Sequence, residues 1–225
     1  MRQLAVECSG KFGSVAALEG TDVLEDFLLD SGRRTAQTLA PAIARLLRQV
    51  AWQPRDVELV SVTEGPGSFT GLRIGVTTAK TFAYATGAAL VGVNSLRVIA
   101  EQSPLNGERL WCVMNAEREQ FFAACFQRDA GGWRESEPTR IVDMATWLGQ
   151  LRDDDLVSGP GLETQGLVSR VPAVCEATCW LPRAAMVGIV GLRDFQAGQY
   201  SDCWSLLPQY FRESAATEKA RRKTP

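Results

Sequence analysis

The first thirty residues alternate short apolar runs with turn residues. The runs are QLAVECS, SVAALEG and VLEDFLL, and Gly13 and Gly20 lie where the chain must turn between them. Apolar runs of this length, bounded so closely by turn residues, are typical of antiparallel strands joined by hairpins. We therefore predict a three-stranded antiparallel meander at the start of the chain.

Helical spacing replaces this pattern between about residues 34 and 50. The apolar residues that recur there at intervals of three and four are Leu39, Ile43, Leu46, Leu47 and Val50. Thr35 and Thr38 are both candidate N-caps of this helix. Pro41 is comfortable only near a helix start, so a helix that begins well before Thr38 would be bent there.

Strands and helices alternate in the next fifty residues. DVELVSVTEG predicts a buried strand, a helix follows from about Leu72 to Thr86, and Gly87 is its natural end. ALVGVN predicts another strand, and Ser95 is expected to cap a short helix in LRVIAEQ. The order β-β-β-α-β-α-β-α is typical of a mixed sheet, antiparallel at first and then parallel with helical crossovers.

The second half of the chain repeats this order. RLWCVMNA and QFFAACFQRD predict a hairpin through EREQ, and GGWRESEPTRIV predicts a third strand. A helix in MATWLGQL, a strand in DDDLVSGPG, a helix around LETQGLVSR and a last helix in RAAMVGIVGLRDF follow. We predict an α/β protein of two lobes, residues 1–104 and 105–225, each a mixed sheet with β-β-β-α-β-α order.

Composition restricts the chemistry most through histidine, because the 225 residues include none. This excludes a Ser-His-Asp triad, a Cys-His pair and every histidine-ligated metal site. The six cysteines are scattered without a C-x-x-C pair, which indicates reduced thiols. The sequence therefore predicts no metal centre and no conventional catalytic triad.

Charge and hydropathy bear on partners and location. A net charge of −2 gives the chain as a whole no electrostatic footprint for nucleic acid. No apolar run is long enough to span a membrane, and the N-terminus lacks the long apolar stretch of a signal peptide. We expect a cytoplasmic protein without a membrane partner.

The motif TEGPGSFTGLRIG lies between a predicted strand and a predicted helix, where free backbone N–H groups favour an anion. The candidate anion site, called here the glycine loop, comprises Gly65, Gly67, Ser68, Phe69, Thr70, Gly71 and Arg73. It matches neither G-x-x-x-x-G-K-[ST] nor G-x-G-x-x-G, and Lys80 lies two turns further along the helix. The alternative is that the glycines only permit a strained turn and that Thr70 caps the helix.

The end of the first strand offers a second candidate site. Nucleotide-binding folds of two lobes often place a carboxylate there, and Glu7 stands at that position with Ser9 close behind it. The alternative is an ordinary strand end followed by a hairpin turn, and this is the interpretation that we favour.

The first two predicted helices each carry small residues at every fourth position. Ala36, Ala40 and Ala44 form one ridge, and Gly75, Ala79, Ala83 and Gly87 form the other. Small residues let two helices approach closely, so the ridges either pack within the molecule or bind a partner protein. The candidate interface residues are Ala36, Ala40, Ile43, Ala44, Gly75, Ala79, Phe82 and Ala83.

Three stretches resemble the TsaB (YeaZ) family. They are GPGSFTGLRIGVTTAKTFAYATGAALVGVNSL, which is long and specific, LAVECSGKFGSVAAL at the start, and LLPQYFRESAATEK near the end. In the last stretch Pro208, Tyr210, Arg212 and Ala215 match the family pattern. The middle of the chain, from Leu105 to about Pro182, matches only in the order of its elements.

The resemblance implies a two-lobed ASKHA (actin-like, RNase H-like) fold and a role in making N6-threonylcarbamoyladenosine (t6A) in tRNA. It implies a non-catalytic subunit that pairs through its first two helices, with the transferase TsaD or with itself, and that works with the ATPase TsaE. It implies no tightly bound cofactor, with ATP or ADP only in the complex with TsaD and TsaE. It also implies that tRNA is contacted mainly through that complex.

The chain departs from the family at two places. Glu7 replaces an aspartate in the first strand, and Thr35 and Ala36 stand where the family has a His-Ser pair. Two rival functions stay open. One is an independent ATP-dependent kinase or hydrolase that uses Glu7, Ser9 and the glycine loop. The other is a peptidase, against which the missing histidines argue.

Overall fold

The computed structural model of the protein describes residues 1–30, 32–104 and 106–211. Arg212 and Ala215, which contribute to the C-terminal resemblance, lie outside the described residues. No helix in the described part of the chain is long and apolar enough to cross a membrane.

The first sheet has the strand order β3-β2-β1-β4-β5. Its strands are β1 (Arg2–Glu7), β2 (Ser14–Glu19), β3 (Asp22–Leu28), β4 (Leu59–Gly65) and β5 (Ala89–Asn94). The first three strands form the predicted antiparallel meander, and β4 and β5 run parallel to β1. The carboxyl ends of β1, β4 and β5 therefore meet at one edge, where the glycine loop begins.

Helices α1 (Thr35–Gln49) and α2 (Phe69–Thr86) cover one face of this sheet. Helix α1 begins at Thr35, and no side chain caps it, so the expectation of a threonine N-cap is wrong. Pro41 consequently lies inside the helix. Gly87 ends α2 as predicted, in the left-handed conformation with a φ of 78°.

Helix α3 (Ser95–Gln102) follows β5 directly. Its N-cap is Asn94, whose Oδ1 accepts hydrogen bonds from the backbone N–H groups of Leu96 and Arg97. Ser95, the predicted cap, is the first residue of the helix instead. An asparagine carbonyl reaches these donors as well as a serine hydroxyl does.

The second sheet has the strand order β10-β9-β6-β7-β8. Its strands are β6 (Arg109–Asn115), β7 (Gln120–Asp129), β8 (Gly132–Asp143), β9 (Leu156–Ser158) and β10 (Ala173–Val174). The remaining helices are α4 (Met144–Leu148) and α5 (Ala184–Gln196). The predicted hairpin between β6 and β7 is confirmed, and its turn places residues 117–119 at positive φ.

The helix predicted around LETQGLVSR is wrong. The chain forms two short 3₁₀ turns there, Pro160–Glu163 and Val168–Arg170. Gly166, between the two turns, has a φ of 74°, which a right-handed helix cannot contain. The apolar spacing of this segment reflects the packing of Leu162 and Leu167 under the second sheet rather than a helical face.

Each half of the chain contributes a helix to the core of the other half. Helix α3 packs Leu96, Ile99 and Ala100 against the second sheet. Helix α5 packs against the free face of the first sheet, where it meets Ala5 and Leu59. The boundary predicted at residues 104 and 105 stays a prediction, but the packing of these two helices crosses it in both directions.

Residues 201–211, called here the C-terminal strap, return to the first lobe. The backbone N–H of Ser201 donates to the carbonyl oxygen of Leu90 at 2.7 Å, and Leu206 is buried in the core beneath α1 and α2. Lys80 of α2 donates through Nζ to the carbonyl oxygens of Leu206 at 2.8 Å and Trp204 at 3.3 Å. The strap therefore runs beside α2 toward the glycine loop.

Candidate functional site

A cleft of about 910 Å³ is lined by residues from both halves of the chain. The first half contributes residues 9–11, after β1, and residues 66–72 of the glycine loop and α2. The second half contributes residues 114–118, at the end of β6, and Gln209, Tyr210 and Phe211 of the strap. This is the edge at which parallel strands end, which is where α/β proteins bind ligands.

Most of the predicted glycine loop lines this cleft, together with Ser9. Gly67, Ser68, Phe69, Thr70 and Gly71 are the loop residues that do so. Among the described residues that line it, Glu7, Gly65 and Arg73 do not appear. The structure therefore brings the two candidate sites of the sequence together but keeps the carboxylate and the guanidinium out of the cleft.

Glu7 is fully buried at the end of β1, behind the turn that Ser9 and Gly10 make. Its Oε1 accepts hydrogen bonds from the N–H and Oγ of Ser9, both at 2.5 Å, and from the N–H of Gly10 at 3.1 Å. Burial raises the pKa of Glu7 to about 7, although these bonds and the charge of Arg183 lower it. The carboxyl group thus holds its own turn and presents no oxygen to the cleft.

The glycines of the loop admit protein backbone at close range. A Cβ at Gly67 would collide with the carbonyl oxygen of Ser9, and one at Gly71 would collide with that of Cys8. A Cβ at Gly65 would lie 2.7 Å from the carbonyl oxygen of Gln209 in the strap. These contacts explain why the three positions require glycine, and a bound phosphate is not needed to account for them. They therefore favour the structural interpretation of the loop.

Ser68 caps α2. Its Oγ accepts a hydrogen bond from the N–H of Gly71 at 3.2 Å, and its own N–H donates to the carbonyl oxygen of Ser9 at 2.8 Å. The expectation that Thr70 caps this helix is wrong, because Thr70 already lies within the first turn and is exposed on the cleft. The helix start is thereby fastened to the end of β1.

The two cations of α2, Arg73 and Lys80, are engaged with the strap rather than with the cleft. Arg73 donates from Nε to the hydroxyl of Tyr210 at 2.8 Å, and its guanidinium lies 4.0 Å from the ring centroid of Phe69. The rings of Phe69 and Tyr210 are 4.7 Å apart. Lys80 is held by the carbonyl oxygens of the strap, so neither cation stands where a bound phosphate would need it.

The ridge on α1 is open to solvent. Ala36, Ala40 and Ala44 are all exposed, whereas Ile43 is buried among the residues that anchor α1 to the sheet. The three alanines therefore form a surface on which another helix could lie closely.

The ridge on α2 is closed, and this corrects the sequence prediction. Ala79 and Ala83 are buried in the core, and a Cβ at Gly75 would lie 3.0 Å from the Cβ of Cys8. Phe82 is partly buried against the same core. Of the predicted interface residues on α2, only Phe82 keeps an exposed fraction, because the ridge itself is used to bring α2 onto β1 and β4.

The strap stretch contributes to the family resemblance, but nothing in the sequence places its residues in the cleft. Gln209 donates from its backbone N–H to the carbonyl oxygen of Glu64 at 2.7 Å, across 145 positions of the chain. Neither spacing nor composition predicts such a contact. Among the described residues, no three Cys, Asp or Glu side chains group closely enough to hold a metal ion.

Comparisons with known proteins agree with this architecture. A family model described as TsaD, tRNA N6-adenosine threonylcarbamoyltransferase, matches residues 30–159, which is more than half of the chain. A solved structure from Pseudomonas aeruginosa, of a protein described as similar to peptidase YeaZ, has a TM-score of 0.80 and 24% identity. It covers 94% of this chain and 99% of that one, and the likeness confirms the predicted two-lobed ASKHA fold.

Two curated relatives carry the description tRNA threonylcarbamoyladenosine biosynthesis protein TsaB. The Bacillus subtilis protein is 29% identical over 155 residues, which are 69% of this chain and 68% of that protein. The Escherichia coli protein is 30% identical over 144 residues, which are 63% of this chain and 62% of that protein, slightly less than two thirds of its length.

Proposed function

The chain belongs to the tRNA N6-adenosine threonylcarbamoyltransferase (TsaD) family, with curated relatives named TsaB, and from this premise we propose that it is a non-catalytic subunit in t6A formation. In this proposal it binds and activates the TsaD transferase in the cytoplasm, and the ATPase TsaE joins them. It binds no cofactor tightly on its own, and ATP or ADP enters only with TsaD and TsaE. The complex, rather than this chain alone, makes most of the contact with tRNA.

The observation that carries the partner role is the exposed ridge of α1. Ala36, Ala40 and Ala44 leave the backbone of α1 accessible along three turns, and Thr77 and Thr81 are exposed on neighbouring α2. A helix of another chain can approach such a surface to van der Waals distance. We propose that TsaD binds here, or that a second copy does so when TsaD is absent.

The non-catalytic role is supported by the cleft. The space beside its glycines is filled by the backbone just after β1 and by the strap, and the Glu7 carboxylate accepts from the N–H groups of Ser9 and Gly10. An ATP-dependent mechanism would need a carboxylate for the metal and a cation for the phosphates on the cleft surface. Glu7, Arg73 and Lys80, the charged residues beside the two candidate sites of the sequence, all have protein partners. Among the described residues, the charged side chains that do line the cleft are Lys11, Glu117, Arg118 and Glu163.

A reconstituted modification assay tests the proposal. It contains the adenylate-forming enzyme, TsaD, TsaE, ATP, threonine, bicarbonate and tRNA from the same organism, with and without this chain. The expected result is t6A only when the chain is present, with no turnover by the chain alone. Equal modification without the chain would overturn the proposal.

An interface variant makes the assay specific. Ala40→Leu places a larger side chain on the exposed ridge, and we expect it to lower both TsaD binding and t6A formation by overpacking the contact. Ala145→Leu, on the exposed side of α4, is the matched control and should behave as wild type. Ala79→Leu, which the sequence pattern suggests, is unsuitable because Ala79 is buried within the chain.

The cleft itself favours one rival function, that of an independent ATP-dependent enzyme. Ser68 and Thr70 are exposed there at the start of an 18-residue helix, which is a favourable position for an anion. Calorimetric titration of the isolated chain with MgATP, followed by a turnover assay, decides between the two functions. Tight binding with turnover would support the rival, and the proposed role predicts neither.

A further inference from the structure

Acidic residues are missing from the helical layer that carries the proposed interface. The chain has 26 Asp and Glu residues, yet residues 31–55 and 65–100 contain none. These two stretches include the whole of α1 and α2. The charged residues of the two stretches are therefore all cations: Arg33, Arg34, Arg45, Arg48, Arg55, Arg73, Lys80 and Arg97.

Three of these cations, Arg34, Arg45 and Arg48, are exposed on α1 or at its start without a compensating charge. Among the residues that the structure describes, no carboxylate forms an ion pair with Arg34 or Arg48. Arg45 lies 4.7 Å from the ring centroid of Phe27 and donates to the side chain of Gln49, so its partners are neutral. The charge of this face is thus not cancelled locally.

Carboxylates reappear only at the rim of the layer. Asp30 lies 3.7 Å from Arg33 before α1 begins, and Asp56 follows the helix. Asp202 lies on the strap beside α2 and caps its own turn. A protein with a net charge of −2 therefore presents a cationic face on α1 and α2 and carries its acidic groups elsewhere.

We infer that the exposed face of α1 and α2 docks an acidic surface of a partner protein, and that its charge makes pairing with a second copy of this chain weaker than pairing with that partner. This rests on the proposed function, because it specifies the chemistry of the partner at the same interface. Opposite charges around an interface speed association and select the partner, whereas like charges placed against each other are costly.

The arrangement of the face favours a protein over RNA. Ala36, Ala40 and Ala44 run along α1, and the two arginines stand at the ends of this row, Arg34 as the N-cap and Arg48 in the last turn. A protein interface has this form, with an apolar centre and a charged rim. A phosphate backbone would instead need the cations at the centre of the contact.

Symmetric self-pairing would bring the same cations together. In an isologous contact each residue of one copy faces residues of the same patch in the other copy. Because neither α1 nor α2 supplies a carboxylate, the second copy has nothing on its helices to compensate Arg34 and Arg48. A partner with Asp or Glu around its docking helices would compensate both.

Two measurements on the full chain test the inference. The first is the dissociation constant for the TsaD of the same organism, at about 50 and about 300 mM NaCl, because screening weakens attraction between exposed charges. The second is self-association of the isolated chain by sedimentation equilibrium. The test variant is Arg34→Glu combined with Arg48→Glu, and Arg170→Glu, exposed in the second lobe, is the matched control.

We expect the double variant to bind TsaD about tenfold more weakly than wild type and to self-associate more strongly, because the new carboxylates face the remaining arginines. Added salt should weaken wild-type binding, and the control should match wild type in both measurements. A general loss of structure would also lower TsaD binding and would raise self-association through aggregation. An unchanged urea denaturation midpoint, and self-association that is reversible and weakened by salt, therefore identify the charge effect in the double variant.

The outcomes separate this inference from the proposed function. If the chain binds TsaD but neither salt nor the double variant changes the affinity, the inference fails and the partner role stands. If the chain binds no TsaD at either salt concentration, the proposed function itself fails. If instead the chain binds tRNA directly and the double variant loses that binding, the face serves nucleic acid and the inference is overturned.

Discussion

Helices α1 and α2 carry the same pattern of small residues at every fourth position and cover the same face of the same sheet, yet their ridges have opposite surroundings. Ala40 and Ala44 of α1 are exposed, whereas Ala79 and Ala83 of α2 are buried. Small residues at every fourth position show that another element can approach the helix backbone closely. They do not show whether that element belongs to the same chain or to a partner. On α2 the approaching chain is the protein's own sheet, and on α1 the position is open.

The difference follows from how each helix is anchored. Helix α2 is separated from β4 by only three residues, and Gly71 and Gly75 contact Cys8, which directly follows β1. This close contact turns the small-residue side of α2 inward. Helix α1 is anchored instead by large aliphatic side chains such as Leu39 and Leu46, which leave its small residues facing outward.

The largest expected effect on stability concerns Glu7. This residue precedes Cys8, which α2 contacts through its glycines, whereas α1 contains no glycine. Burial raises the pKa of Glu7 in the folded chain to about 7, from 4.5, so folding favours the protonated form. Its stabilising contribution is complete below the unfolded pKa and is lost as the pH rises through the folded one. The difference corresponds to about 3 kcal/mol, at about 1.4 kcal/mol for each pH unit.

Glu7→Gln should therefore raise the free energy of unfolding at pH 8 by up to about 3 kcal/mol and change it little at pH 4.5, as urea denaturation would report. Glu176→Gln, at an exposed position, is the control. Amide exchange should change in residues 66–75 and not in residues 36–44. The prediction would be contradicted if the free energy of unfolding of the wild type did not decrease from pH 4.5 to pH 8.

Second in size is the effect of enlarging the buried ridge. Ala79→Leu adds three carbon atoms to a position without free space, and we expect the free energy of unfolding to fall by about 2 kcal/mol. Denaturation in urea measures this directly. An unchanged stability would mean that the core under α2 can yield, and the contrast with α1 would then be weaker than the burial indicates.

A smaller effect is expected where the strap is tied to α2. Lys80→Met removes the hydrogen bonds to the carbonyl oxygens of Trp204 and Leu206, which should cost about 1 kcal/mol. Faster amide exchange in residues 201–209 would show the loosened strap. Arg48→Met, on the solvent side of α1, is the matched change and should leave the strap as it is.

The smallest effect on stability is expected on the open ridge. Ala40→Leu should alter the free energy of unfolding by less than about 0.5 kcal/mol, because the side chain points into solvent. Comparison of Ala40→Leu and Ala79→Leu in one denaturation series would sharpen the contrast between the helices. A large loss of stability in Ala40→Leu would show that α1 is packed more tightly than its exposure indicates.

Local patterns in the sequence predict most elements of this fold but not the partners of particular residues. Periodicity locates α1 and α2, and Gly87 ends α2 where expected. The expected caps, Thr70 of α2 and Ser95 of α3, lie two residues and one residue after the actual caps, Ser68 and Asn94. Neighbouring residues of similar chemistry can each cap a helix, so the sequence alone does not choose between them. The helix expected near residues 162–170 does not form because apolar spacing there reflects tertiary packing.

The candidate site was predictable only in part. The glycine loop and Ser9 converge on one cleft, as the order of strands suggested. The burial of Glu7 and the contact of Gln209 with Glu64 depend on long-range packing, which no local pattern contains. The same holds for the ridges, whose exposure is decided by how each helix leaves its strand.

The exchange of helices between the two halves has a consequence for synthesis on the ribosome. The first sheet is encoded within the first hundred residues, but the helix that covers its second face, α5, ends only at Gln196. Until that segment leaves the exit tunnel, the nascent chain must keep Ala16, Leu18 and Val91 without their final neighbours. We therefore expect the protein to acquire resistance to protease in one step, once Gln196 has left the exit tunnel, rather than lobe by lobe.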